Sequence, residues 1–151
     1  MFEVEQPQTS NYRHQTEMLK DIPQLKVEDV ALAVSRQRDR DGSEEWSVYI
    51  INMKEEPING VLVTSKGYGM KDGEKVNTSV LRHFFENIPS KSFEKVEPII
   101  ENVFGLNNEY WVSFYVGTDI YDKKYLFLPE SISEDFFIHI PILDKEGVMI
   151  K

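Results

Sequence analysis

Along most of the chain, apolar and polar side chains alternate with the period of strands. Val30, Leu32 and Val34 share one parity and Asp29, Ala31 and Ser35 the other, which predicts a strand over 27–36 with one buried face. A charged turn, Gln37 to Glu45 around Gly42, leads to Trp46-Ser-Val-Tyr-Ile-Ile-Asn-Met, apolar on both parities as a strand covered on two faces would be. Glu55-Glu-Pro-Ile-Asn-Gly introduces a third strand, Val61–Ser65. The stretch 78–87 fits a strand or a short helix, and strand is preferred. In 92–101 the near-helical spacing of Phe93, Val96, Ile99 and Ile100 is contradicted by Pro98, so an edge strand is expected. Glu109 to Val116 is the strongest strand and forms a hairpin with Tyr125-Leu-Phe-Leu. Phe136, Ile138, Ile140 and Ile142 then share a parity in a last long strand, with a short terminal one after Gly147.

Seven or more short strands separated by polar turns predict a mainly β fold, an antiparallel β-sandwich with at most one short helix; a partly open β-barrel is the alternative. Residues 1–26 are polar, hold Pro7 and Pro23 and show no period, so they are expected to form a flexible polar N-terminal arm ahead of a single domain over 27–151. With 151 residues, 40% of them hydrophobic and 28% charged, the chain can bury a core without a staple.

Charge narrows the choice of partner. Seventeen Lys and Arg against 26 Asp and Glu give −9, which disfavours phosphate backbones and anionic lipid, so neither nucleic acid nor a membrane surface is expected as a partner. No apolar run approaches the roughly 18 residues of a membrane span, and the first residues lack the basic flank and apolar core of an export signal; a cytoplasmic location is the expectation. The absence of cysteine rules out disulfides, thiolate catalysis and Cys-ligated zinc.

Candidate chemistry is sparse. His14, His83 and His139 have no metal-ligand spacing. Glu55-Glu56, the set Glu94, Glu97 and Glu101, and the set Glu130, Glu134 and Asp135 read as solvated charged faces without a calcium loop. No metal and no cofactor is expected. Gly67-Tyr-Gly-Met-Lys-Asp-Gly lacks the following helix of a phosphate-binding loop and reads as a wide turn between strands. A small-ligand or enzyme site near Gly67–Gly73 would have to draw on Tyr68, Arg82 and His83.

The densest feature is aromatic. Tyr110, Val112, Phe114 and Val116 alternate with Trp111, Ser113 and Tyr115, so the two sets leave the strand on opposite faces. Trp111 and Tyr115 are then either a second buried layer, the commoner outcome, or a surface patch for a partner. The reading favoured is a non-catalytic protein-interaction or binding module, meeting a protein partner or a second copy of itself; the alternative is the small-ligand or enzyme site.

Two resemblances accompany this reading. Val48-Tyr-Ile-Ile-Asn-Met-Lys-Glu-Glu-Pro-Ile-Asn-Gly-Val-Leu-Val is similar to the strand–turn–strand order of immunoglobulin-like domains, which implies shape and no function. Leu25-Lys-Val-Glu-Asp-Val-Ala-Leu-Ala-Val, Lys66-Gly-Tyr-Gly, Asn107-Asn-Glu-Tyr-Trp-Val-Ser-Phe and Tyr121-Asp-Lys-Lys-Tyr resemble a family of small uncharacterised bacterial proteins, sometimes labelled phenylalanyl-tRNA synthetase β-chain-like. The resemblance implies no activity.

Because 1–23 offer no apolar face to bury, a chain beginning at Gln24 should melt close to the full chain; a fall of more than roughly 10 °C, about 2 kcal/mol, would show that the segment packs.

Overall fold

The computed structural model describes residues 25–151, and the arm expected over 1–26 lies outside them except for its last two residues, as does His14. Ten strands follow in order: β1 (Val30–Arg38), β2 (Glu44–Asn52), β3 (Ile58–Lys71), β4 (Glu74–Asn77), β5 (Leu81–Ile88), β6 (Ser92–Ile99), β7 (Asn107–Val116), β8 (Asp119–Phe127), β9 (Ile138–Ile140) and β10 (Lys145–Ile150). They make two five-stranded antiparallel sheets. The first runs β6-β2-β1-β10-β9; in the second, β3 pairs with both β4 and β5 along one side and with β7 on the other, and β8 follows β7. Among the described residues the sheets do not close into a barrel, and the helical content is two short 3₁₀ turns at Glu101–Val103 and Glu134–Phe136. Among the described residues no helix is long and apolar enough to cross a membrane.

One core joins the sheets. Val30, Leu32 and Val34 of β1 and Val48 and Ile50 of β2 pack with Val61 and Val63 of β3, Tyr110, Val112 and Phe114 of β7 and Phe127 of β8. Two polar contacts fix how the sheets sit. The buried Tyr125 hydroxyl of β8 donates to the Val30 carbonyl of β1 at 2.6 Å. Asn52, fully buried at the end of β2, places Nδ2 3.1 Å from the Ile88 carbonyl and 3.0 Å from that of Pro89, where the chain crosses from β5 to β6. Buried amides need such partners, and here the partner is the crossover itself.

Of the stretch 78–87, Leu81 onward is strand rather than helix, as part of β5, while 78–80 are outside any strand; Pro98 lies on β6, an edge strand that, among the described residues, pairs with β2 alone. Three expectations need correction. β1 is buried on both faces, because Ala33 joins a second cluster with Tyr49, Ile51, Ile140 and Leu143 that covers the outside of the first sheet. β3 runs 14 residues, so Gly67 to Lys71 belong to the strand and the wide turn shrinks to Asp72-Gly73. Both have positive φ, 53° and 80°, the two-residue hairpin geometry that Asp-Gly favours. The long strand through Phe136 and Ile142 is also absent: β9 holds three residues, Pro141 cannot donate to a continuing ladder, and Asp144 N closes onto the Ile140 carbonyl at 2.9 Å.

Gly147 marks the tightest approach within the first sheet. A Cβ there would lie 2.3 Å from the Val34 carbonyl oxygen, a backbone atom that cannot swing aside. Gly147→Ala should therefore destabilise by roughly 1–3 kcal/mol, read as a lowered urea midpoint at unchanged slope; an unchanged midpoint would show that β1 and β10 can separate freely.

Candidate functional site

Strand parity decides what the second sheet shows to solvent. Burying Val61 and Val63 of β3 and Tyr110, Val112 and Phe114 of β7 sends Leu62, Thr64, Trp111, Ser113 and Tyr115 to the outer face. Registration places them in rows across the sheet. Arg82, Thr64, Trp111 and Lys124 form one row, and Phe84, Leu62, Ser113 and Asp122 the next. Tyr115 and Ile120 are paired beyond them, with the Tyr115 ring over Gly60 at a bulge in β3. The side chains stay uncovered: Phe84 is 64% exposed, Ile120 54%, Trp111 46%, Tyr115 44% and Leu62 38%. Trp111 and Tyr115 therefore do not form a second buried layer. The first sheet has one, built on Tyr49 and Ile51; among the described residues the second does not.

A different cluster lies inside, at the edge where β5 of one sheet meets β6 of the other. The Glu97 carboxylate, with a side chain 10% exposed, is its centre. His83 Nε2 lies 2.7 Å from Oε1, Ser65 Oγ donates to the same oxygen at 2.9 Å, and the Tyr110 hydroxyl donates to Oε2 at 3.0 Å. Four strands from both sheets thus converge on one carboxylate. Burial pushes the Tyr110 phenol far above its ordinary range, and the neighbouring Glu97 charge adds to the shift, so Tyr110 remains a donor. Beside the cluster is a cavity of about 220 Å³, walled by Pro98, Ile99 and Ile100 on one side and Ser65, Thr78 and Tyr110 on the other.

The chemistry follows from the order of contacts. Glu97 stands between Ser65 and His83, whereas activation of a hydroxyl nucleophile needs the imidazole against the hydroxyl. The cluster gathers polar side chains around a carboxylate, with no hydroxyl set against the imidazole. Among the described residues no three His, Asp or Glu side chains are grouped to hold a metal ion.

The expected set Tyr68, Arg82 and His83 does not assemble. Tyr68 sits on the outer face of β3, its hydroxyl 3.2 Å from Glu109 Oε1 and Lys66 over its ring. Its phenol is raised by partial burial and then by Glu109. Arg82 points outward from β5 opposite Thr64, four residues or roughly 13 Å along β3 from Tyr68, while His83 turns inward to Glu97. Glu97 itself corrects the reading of 94–101 as a solvated face. A register shift where β6 passes Val48 and Tyr49 puts both Val96 and Glu97 toward the interior, and such a bulge cannot be read from alternation. The available signal was parity with buried Ile99, two residues on.

No family model matches the chain, and no curated protein or solved structure matches it either.

Tyr110 and Tyr125 both have phenols raised by burial. The unfolded chain releases these protons near pH 10 while the folded chain keeps them, so their contribution is whole below about pH 10 and is lost as pH rises beyond it. Tyr125→Phe should flatten the alkaline fall in stability between pH 9 and 11, measured by urea unfolding. Tyr110→Phe should do the same and also cost about 1.5–3 kcal/mol at pH 7 for the lost bond to a carboxylate. An unchanged alkaline slope in both variants would contradict the burial of these hydroxyls.

Proposed function

We propose that the protein is a non-catalytic interaction module whose working surface is the outer face of the β5-β3-β7-β8 sheet and whose partner is a second copy of the same chain. The observation that carries this reading is the uncovered apolar row of Phe84 and Leu62 with Trp111, Tyr115 and Ile120 around it, in a molecule that covers the equivalent face of its other sheet. The charges around the patch support a second copy as occupant. Arg82 and Lys124 flank it at the Trp111 row, Asp122 lies one row on, and Glu86 follows Phe84 further along β5. A copy stacked in the opposite sense sets the cationic end of one face over the acidic end of the other, the self-complementarity that a two-fold interface requires.

Size sets the strength. Four strands about 4.8 Å apart and three rows deep give several hundred Å² per copy, at the low end of specific interfaces, so a reversible dimer of micromolar or weaker affinity is the expectation. The two facing antiparallel sheets support an immunoglobulin-like sandwich as the frame, rigid enough to hold aromatic side chains in place without a ligand. Membership of the small bacterial family resembled by 25–125 belongs to the same proposal and adds no activity to it.

Sedimentation at about 0.15 M salt, where repulsion between copies of charge −9 is screened beyond roughly 8 Å, should show a concentration-dependent dimer. Trp111→Ala and Leu62→Asp should each weaken it tenfold or more while changing unfolding free energy by less than about 1 kcal/mol, because no cavity opens. A wild type that stays monomeric to millimolar concentration, or a dimer indifferent to both changes, would overturn the reading.

A further inference from the structure

We propose that the cavity beside Glu97 is a binding site for a small aliphatic ammonium ion, its charged head on the carboxylate and its hydrocarbon against Pro98, Ile99 and Ile100. The site is distinct from the outer face, since its walls come from β6 of one sheet, β3 and β7 of the other, and the segment between β4 and β5.

The charge of the site selects a cation. Among the described residues, His83 is the one basic side chain paired with Glu97. Lys66 borders the cavity, but its ammonium lies 3.7 Å from Glu109 on the outer face and leaves the cavity without a lysine head. An ionised carboxylate offers about four acceptor positions. Ser65 and His83 occupy Oε1, and Tyr110 alone occupies Oε2, so one position on Oε2 remains for a further N–H donor.

Shape and wall chemistry select the remainder of the ligand. The cavity, about 220 Å³, has room for a short alkyl amine. Its walls beyond the carboxylate are mostly hydrocarbon, which an alkyl group fills and a hydrated inorganic cation does not. A buried carboxylate is also a costly way to join two sheets, because a well-packed apolar side chain commonly serves the fold as well or better. Three strands directing polar side chains onto one carboxylate beside an open cavity is the arrangement of a recognition site.

The test titrates n-butylammonium into isotopically labelled full-length protein followed by amide and side-chain NMR, with 1-butanol and butyrate as isosteric controls. Saturable shifts confined to Ser65, Glu97, Ile99, Ile100 and Tyr110, with Kd on the order of 1 mM and at least tenfold preference over both controls, are expected. Glu97→Gln should abolish that preference. Because this change also loosens a four-strand contact, Ser79→Trp, at the exposed rim of the same cavity, provides a second variant that should block binding with the Glu97 cluster intact. Equal binding of butanol or butyrate, shifts elsewhere on the protein, or butylammonium binding unchanged in Ser79→Trp would overturn the proposal.

Discussion

The two-residue period of β7 is the constraint from which the working surface follows. Once Tyr110, Val112 and Phe114 are committed to the core, with exposures of 2%, 0% and 1%, Trp111, Ser113 and Tyr115 have no route back to it. β3 obeys the same rule through Val61 and Val63, and its partner β5 through Phe85, so Leu62 and Phe84 are expelled onto the same side. The first sheet solves this problem by folding the turn after β9 back over Ala33 and Ile51. No described element does so for the second sheet, and its apolar side chains remain available to a partner.

A second constraint acts at the edge where the sheets meet. Edge strands expose unpaired backbone groups, and β6 blunts its own with Pro98 and a bulge. That bulge turns Glu97 inward. A carboxylate so placed must gather donors or lose its charge, and Ser65, His83 and Tyr110 come from three other strands to supply them. The result ties β3, β5, β6 and β7 together through one charged group, and it leaves a small cavity whose chemistry is set by that group.

The sequence was readable where alternation ran unbroken. Tyr110 to Val116 shows its two faces plainly and Pro98 marks an edge strand by its missing donor, whereas over 78–87 the pattern fitted strand and helix alike and only the pairing of β5 with β3 separates them. It was unreadable where backbone geometry resets the period. The bulge at Val96 and Glu97 hid the buried carboxylate, and the 3₁₀ turn before Phe137 together with Pro141 broke a run of alternating apolar residues that looked like one strand. Alanine was the other blind spot. Ala31 and Ala33 are too small to declare a buried face, so the covering layer on the first sheet had no signature in β1.

The most direct test of this account uses its two tryptophans as reporters of two environments, Trp46 buried at 7% exposure beneath Phe104 and Trp111 half exposed on the outer face. With 5-fluorotryptophan in both positions, a dilution series followed by ¹⁹F NMR should move the Trp111 resonance with protein concentration and leave that of Trp46 fixed. Two resonances that both ignore concentration, or a Trp46 signal that moves while Trp111 does not, would contradict the assignment of the outer face as the surface through which this protein works.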